Sequence, residues 1–373
     1  VPSTEITEAL DDHRVSREAE APLVYPVQGA PESGQTIDIA PGIKWLRMPL
    51  PFELSHINLY LIEDGDGWAI IDTGINTSLV RGMWEKVLAD DLEGANITKI
   101  IVTHYHPDHM GCAGWLAEVT GAPIWMTGLE MMTGRTLKLD VRDEVPEEAI
   151  QFYETAGFDE DQITFLRQLG FGNFAKGVSD LPLAYKRIRG GDVIEIGARR
   201  FEILIGNGHS PEHACLYERA EKLLISGDQV LPRITSNISV HPTEPLSNPL
   251  HDWMTSLVML EQLPDDIFVL PAHNEPFLGL KKRVDEMLLS HFRRLKRVAA
   301  ECQVPCSAVG AFGAMFKRKL KGFDMIMGLG ESLAHLHYLE SIGVVERIEG
   351  DVTTFQTIGE FDEDDVKRDI GIA

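Results

Sequence analysis

Two layered regions of unequal size are expected from this chain: an α/β domain over residues 37–280 and a smaller, winged-helix-like domain over 281–373. Three observations carry that expectation. Strand-like runs alternate with helix-like runs through the first 280 residues, the pattern of sheets covered by helices. The length of 373 residues leaves room for two or three domains. After residue 280 amphipathic helices take over and end in two short strands.

Residues 1–36 are polar and rich in Glu, Pro and Ser, and read as an N-terminal extension able to lie against another surface. Residues 43–48 alternate in part between apolar and polar. The runs 58–63 (NLYLIE) and 68–72 (WAIID) read as strands joined by the turn 64–67 (DGDG). A helix is expected over 79–88. Residues 99–103 (KIIVT) form a nearly continuous apolar run, as in a strand buried on both faces. A helix over 111–120 and a strand over 123–126 follow. Residues 128–185 break the rhythm and read as a helical insertion, clearest over 147–156 and 161–169. Strands return at 193–196, 200–205, 214–218 and 222–226, then a helix over 252–263 and a strand over 267–270. Beyond 280 the pattern gives helices over 280–303, 306–316 and 330–341. A hairpin of 343–347 and 353–357 then turns at Glu349-Gly350-Asp351. Helices followed by a two-stranded wing are the basis for the winged-helix-like reading. The acidic tail 362–369 is expected to be solvated.

The charge balance, 34 basic against 58 acidic residues, gives −24. Such a chain repels phosphate backbones, so nucleic acid is a disfavoured partner for the protein as a whole. Cys112, Cys215, Cys302 and Cys306 are too sparse for a disulfide framework and read as reduced thiols, which points to the cytoplasm. No apolar run reaches the ~18 residues of a membrane span, and no signal peptide is evident.

The strongest chemical signal is the run 103–109 (THYHPDH), directly after an apolar strand. His104, His106, Asp108 and His109 fall within six positions, a density that needs a use. A loop at the end of a strand can aim all four inward. Imidazole with carboxylate suits zinc, with iron or manganese as alternatives.

This run resembles the hallmark H-x-H-x-D-H of the metallo-β-lactamase fold superfamily. The resemblance continues in order through 70–74 (IIDTG), 208–213 (GHSPEH), 226–228 (SGD) and 271–273 (PAH), covering about residues 40–280. It implies an αββα sandwich with two metals, most simply two Zn(2+), at one edge. One would be held by His104, His106 and His209, the other by Asp108, His109 and His273, with Asp228 bridging. Asp72 would orient a ligand from behind, and His213 would sit beside the site. The implied chemistry is hydrolysis by a hydroxide that the metals generate, with Asp108 orienting it. Ser210 and Cys215 then have no nucleophilic task. A second site without cysteine looks like glyoxalase II, the lactonases and related hydrolases. A thioester or ester is the favoured substrate, then a lactone or β-lactam, then a nucleic-acid phosphodiester.

His56, His241 and His251 are ambiguous, with His241 in a loop, 235–248, that could border the pocket. His13, His291, His335 and His337 read as surface or core residues. The Met and aromatic residues of 128–185 allow two readings, a lid over an apolar acyl pocket or the core of the insertion. Between 281 and 321 eleven lysines and arginines stand against three acidic residues. This basic island suits a phosphate-bearing substrate such as a coenzyme A thioester, an RNA contact, or a solvated face pairing with the acidic body. The expected partner is a small acyl-type molecule, and the helical module allows a homodimer contact.

Overall fold

The computed structural model describes residues 22–51 and 54–372. Most of the N-terminal extension, with His13, lies outside the described residues.

Seven strands form the first sheet in chain order: β1 (Thr36–Ala40), β2 (Ile43–Pro49), β3 (His56–Asp64), β4 (Gly67–Ile71), β5 (Asn96–Ile101), β6 (Ile124–Thr127) and β7 (Lys186–Ile188). The first four pair antiparallel and the last four parallel. The second sheet runs β8 (Val193–Ile196), β9 (Arg199–Gly206), β10 (His213–Glu218), β11 (Leu223–Gly227), β12 (Phe268–Pro271) and β13 (Phe277–Leu278). Helices α1 (Ser78–Lys86), α2 (Pro107–Met110), α3 (Ala113–Thr120), α4 (Gly128–Leu139), α5 (Glu147–Thr155), α6 (Glu160–Leu169) and α7 (Phe174–Gly177) belong to the connections of the first half. Then come α8 (Pro249–Glu261), α9 (Leu280–Glu301), α10 (Phe312–Met315), α11 (Phe323–Ser341), the hairpin β14 (Val345–Ile348) with β15 (Thr354–Thr357), and α12 (Glu363–Asp369).

Side-chain alternation explains the layering. In β3, Ile57, Leu59 and Leu61 face a core shared with α1 and α3, whereas Tyr60 and Ile62 face the second sheet. In β10, Ala214 and Leu216 point back at the first sheet, while Cys215 and Tyr217 pack towards α8 and α9. Both sheets are thus buried on both faces, which gives helix, sheet, sheet and helix layers.

The structure departs from the sequence reading in places. Residues 22–36 pack on their own chain: Val24 exchanges two backbone hydrogen bonds with Leu278, and β1 adds an edge strand beside β2. In 128–185, Ile150, Phe158, Ile163 and Leu166 join the core of α8 and α9, so these apolar residues are packing. Residues 306–311 are not helical. Instead Cys306 exchanges two hydrogen bonds with Phe355, extending the hairpin. Helix α11 starts at Phe323 and runs through Gly330, where Ser239 and Val240 cross it and a Cβ would meet the Ser239 side chain at 2.7 Å. The acidic tail is not wholly solvated. It forms α12, which buries Val366 and Ile370, each worth about 1.5–3 kcal/mol, and Tyr338 donates to Asp369 at 2.9 Å. All four cysteines are free thiols and buried. Among the described residues no helix is long and apolar enough to cross a membrane.

His291 and His335 stack inside the α9–α11 contact, with Nδ1 and Nε2 3.1 Å apart. Burial holds His335 down at about 3, so it stays neutral while the unfolded chain protonates near pH 6.5. Its stabilising contribution is therefore complete above pH 6.5 and is lost as pH falls towards 3. The slope is about 1.4 kcal/mol per pH unit. Urea unfolding at pH 7 and pH 5 is expected to show about 2 kcal/mol less acid destabilisation in His335→Asn than in the parent. Equal pH dependence in both would remove His335 as its source.

Candidate metal centre

Strands β4, β5, β9, β11 and β12 all end at one edge of the sandwich, and the residues that follow them converge. Asp72 follows β4 with a φ of 59°, a left-handed conformation that Asp tolerates better than most residues. Its carboxylate accepts from the Thr103 backbone N–H at 2.8 Å, the Thr103 hydroxyl at 2.8 Å and His109 Nδ1 at 2.8 Å. The loop after β5 is thereby pinned. Pro107 then opens the single turn α2, where a missing N–H costs nothing.

Two groups of ligand-type atoms result. His104 Nε2 lies 2.9 Å from His106 Nδ1 and 3.3 Å from His209 Nε2, which is 3.4 Å from Asp228 Oδ2. In the second group, Asp108 Oδ2 is 3.6 Å from His109 Nε2 and 3.4 Å from His273 Nε2. The other Asp228 oxygen, Oδ1, lies 3.5 Å from His109 Nε2 and 3.3 Å from His273 Nε2. Four ligands about 2.0–2.1 Å from a tetrahedral centre stand roughly 3.3–3.4 Å apart, so these spacings suit a cation inside each group. All seven residues that the resemblance implied as ligands are brought together.

The hydrogen bonds agree with that fit. His109 donates outward to Asp72, His209 Nδ1 to the Asn237 carbonyl at 2.8 Å, and His273 Nδ1 to the His56 carbonyl at 2.8 Å. With a metal bound, each ring nitrogen facing inward would present its lone pair. His109 Nε2 and Asp228 Oδ1 are buried without a hydrogen-bond partner, a costly state that a metal ligand bond resolves.

The electrostatics point the same way. Burial opposes the charged forms throughout. It is outweighed at Asp108, which the His109 and His273 rings hold at about 2, and at His273, which Asp228 and Asp108 lift to about 10. His104 and His106 are pushed well below the ordinary histidine range by burial and by neighbouring imidazoles. The carboxylate side of the cluster draws positive charge, and a divalent cation answers the same pull.

His213 does not point into either group. Its Nε2 accepts from the Asp228 backbone N–H at 3.1 Å, and its ring stacks on His104. Gly227 has a φ of 50°, and a Cβ there would meet His213 Nε2 at 2.5 Å. Sequence reasoning missed Glu130 in α4. This fully buried carboxylate accepts from Tyr105 N at 2.9 Å, Ser210 Oγ at 2.6 Å and Glu212 N at 2.7 Å, tying two ligand loops together. Its only sequence signal is a lone acidic residue in an apolar helix. His56 backs His273, and Asn237 places the 235–248 loop behind His209, while His241 on that loop is exposed. His251 lies away from the centre, beside Asp252 and Asp369, and His337 is buried against the Ser247 carbonyl.

Asp72→Ala removes the acceptor that orients His109 and leaves the Thr103 backbone N–H without its acceptor. Metal affinity measured by competitive chelation is expected to fall about 10–100-fold. Unchanged affinity would show that Asp72 does not position the ligand.

Residues 53–273 match the family model described as the metallo-beta-lactamase superfamily, and residues 295–358 match the metallo-beta-lactamase-like C-terminal domain. A probable metallo-hydrolase of Bacillus subtilis, YqjP, is 25% identical over 329 residues, covering 84% of this chain and 97% of that one. A beta-lactamase domain protein from Burkholderia ambifaria is 37% identical, with a TM-score of 0.83 over 90% of this chain and 98% of its own. An atrochrysone carboxyl ACP thioesterase of Aspergillus fumigatus is 24% identical over 251 residues, 66% of this chain and 44% of that protein. The sandwich, the converging His and Asp residues and the matched family models agree: this chain is a metallo-hydrolase that belongs to the metallo-β-lactamase superfamily.

Proposed function

We propose that the two ligand groups hold two zinc ions and that the protein hydrolyses an acyl thioester or ester. The observation that carries this reading is Asp228, which turns one carboxylate oxygen towards each group. Divalent ions held there would lower the pKa of a bound water to about 7 and polarise a carbonyl oxygen. The chain's residues do the rest. His104, His106 and His209 present their ring nitrogens to one group. Asp108, whose side chain is 20% exposed, is the most open member of the second group and is placed to accept a water proton and orient the oxygen.

No side-chain nucleophile is needed. Ser210 donates its hydroxyl to Glu130, and burial pushes the Cys215 thiol above its ordinary range. The thioesterase name of the Aspergillus relative supports the thioester. Four buried, reduced thiols suit a reducing compartment, and we place the protein in the cytoplasm on that ground.

The test is a matched panel on metal-quantified protein: an acyl-coenzyme A thioester, a glutathione thioester, an acyl-homoserine lactone, a β-lactam and single-stranded RNA. Thioester hydrolysis that Asp108→Ala abolishes is the expected result. Turnover of the lactone, the β-lactam or RNA alone would overturn the substrate reading.

A further inference from the structure

The basic island does not spread evenly over the surface. Arg293, Arg294, Arg297, Lys317 and Arg318 line one groove of about 650 Å³ between α9, the 316–321 turn and α11. Asp324 and Glu331 are its two carboxylates, paired with Arg318 at 2.7 Å and Arg294 at 2.7 Å. Arg297 donates to the Ala314 carbonyl, which aims its guanidinium but leaves its charge unmatched. Arg293 and Lys317 are exposed and make no ion pair among the described residues. Arg293 and Arg297 lie one helical turn apart on one face of α9. The groove therefore carries an excess of three positive charges in a chain of net −24.

Its floor is apolar. Met315, Phe316, Leu320 and Met327 contribute, so a flat or aliphatic group can be covered as well as an anion. The groove also reaches the metal centre through one residue. Asn237 lines it, and the backbone carbonyl of Asn237 is the acceptor for His209 Nδ1. The same short loop is clamped from the other side, where Val240 N donates to the Gly330 carbonyl at 3.1 Å and Ser239 Oγ lies 3.4 Å from the Met327 carbonyl.

We propose that this groove binds the phosphate-bearing handle of the substrate, a nucleoside diphosphate of the kind that carries the thioester in a coenzyme A ester. The proposal rests on the thioester reading above and adds where the substrate is selected. The volume falls in the range of about 300–1,000 Å³ that holds one cofactor-sized ligand. Paired guanidinium groups with a lysine match phosphate oxygens. A polynucleotide fits less well, because it needs an extended cationic track and the surrounding chain is strongly acidic.

The test compares two thioesters with one acyl group, one on coenzyme A and one on N-acetylcysteamine, which lacks the phosphates. Arg293→Glu and Lys317→Glu alter exposed side chains, and circular dichroism and metal content check the fold. The ratio of kcat/KM for the coenzyme A ester over the short ester is expected to fall about tenfold or more in each variant, through KM. An equal change for both esters, or none, overturns the proposal. Binding of desulfo-coenzyme A, which has no thiol to bind a metal, is measured in parallel by calorimetry. Binding to the parent that the variants lose supports the groove even where no thioester is turned over, which separates its failure from that of the thioester reading. No binding, or capture of single-stranded RNA in its place with a steep salt dependence, overturns it.

Discussion

Asp228→Ala is expected to lower hydrolysis by about 10³-fold or more and to empty both metal positions at once. Loss of a single electrostatic contact to a developing charge already costs about 10²–10³, and this substitution removes one oxygen from each ligand group. It also leaves His109, His209 and His273 facing one another without their shared carboxylate. Metal analysis after gel filtration, run beside the kinetic assay, is the measurement. A variant that keeps two equivalents of metal would show that Asp228 does not bridge. His106→Ala, which deletes a donor of the first group outright, should likewise lose metal and turnover together.

Asp108→Ala is expected to separate the two groups. Its carboxylate belongs only to the second, where Oδ2 lies within 3.6 Å of His109 and His273. His104, His106, His209 and Asp228 remain, so one equivalent of metal should stay tightly bound while turnover falls by at least about 10²-fold. Retention of full activity would remove Asp108 from the mechanism. Loss of both metals would show that the groups are not independent.

Four candidate ligands are legible in the sequence from their spacing, and His209, Asp228 and His273 only through the family resemblance. His104, His106, Asp108 and His109 share one loop, and four such groups crowded after a buried strand need a cation to offset the cost of burying them. Glu130 is not legible. It braces one loop 25 residues before it and another about 80 residues after it through three hydrogen bonds, and a solitary glutamate in a helix carries no mark of that task. Helix α12 is hidden for a related reason. Its acidic residues dominate the composition, whereas its fold rests on Val366 and Ile370 finding a core that the rest of the chain builds. Pattern does not separate the lid and core readings of 128–185, since helical spacing of Phe and Met serves either. Packing of Phe158 and Leu166 against the α8–α9 core decides for packing at those positions.

By itself, then, the sequence determined the strand–helix rhythm and, through its motifs, the family resemblance and a candidate ligand set, because periodicity and local motifs are short-range properties of a chain. Only the tertiary structure decided that a buried glutamate locks the loops and that scattered arginines and lysines line one groove beside Asn237. Each of these depends on distances between segments far apart in sequence, which packing sets and no local pattern encodes.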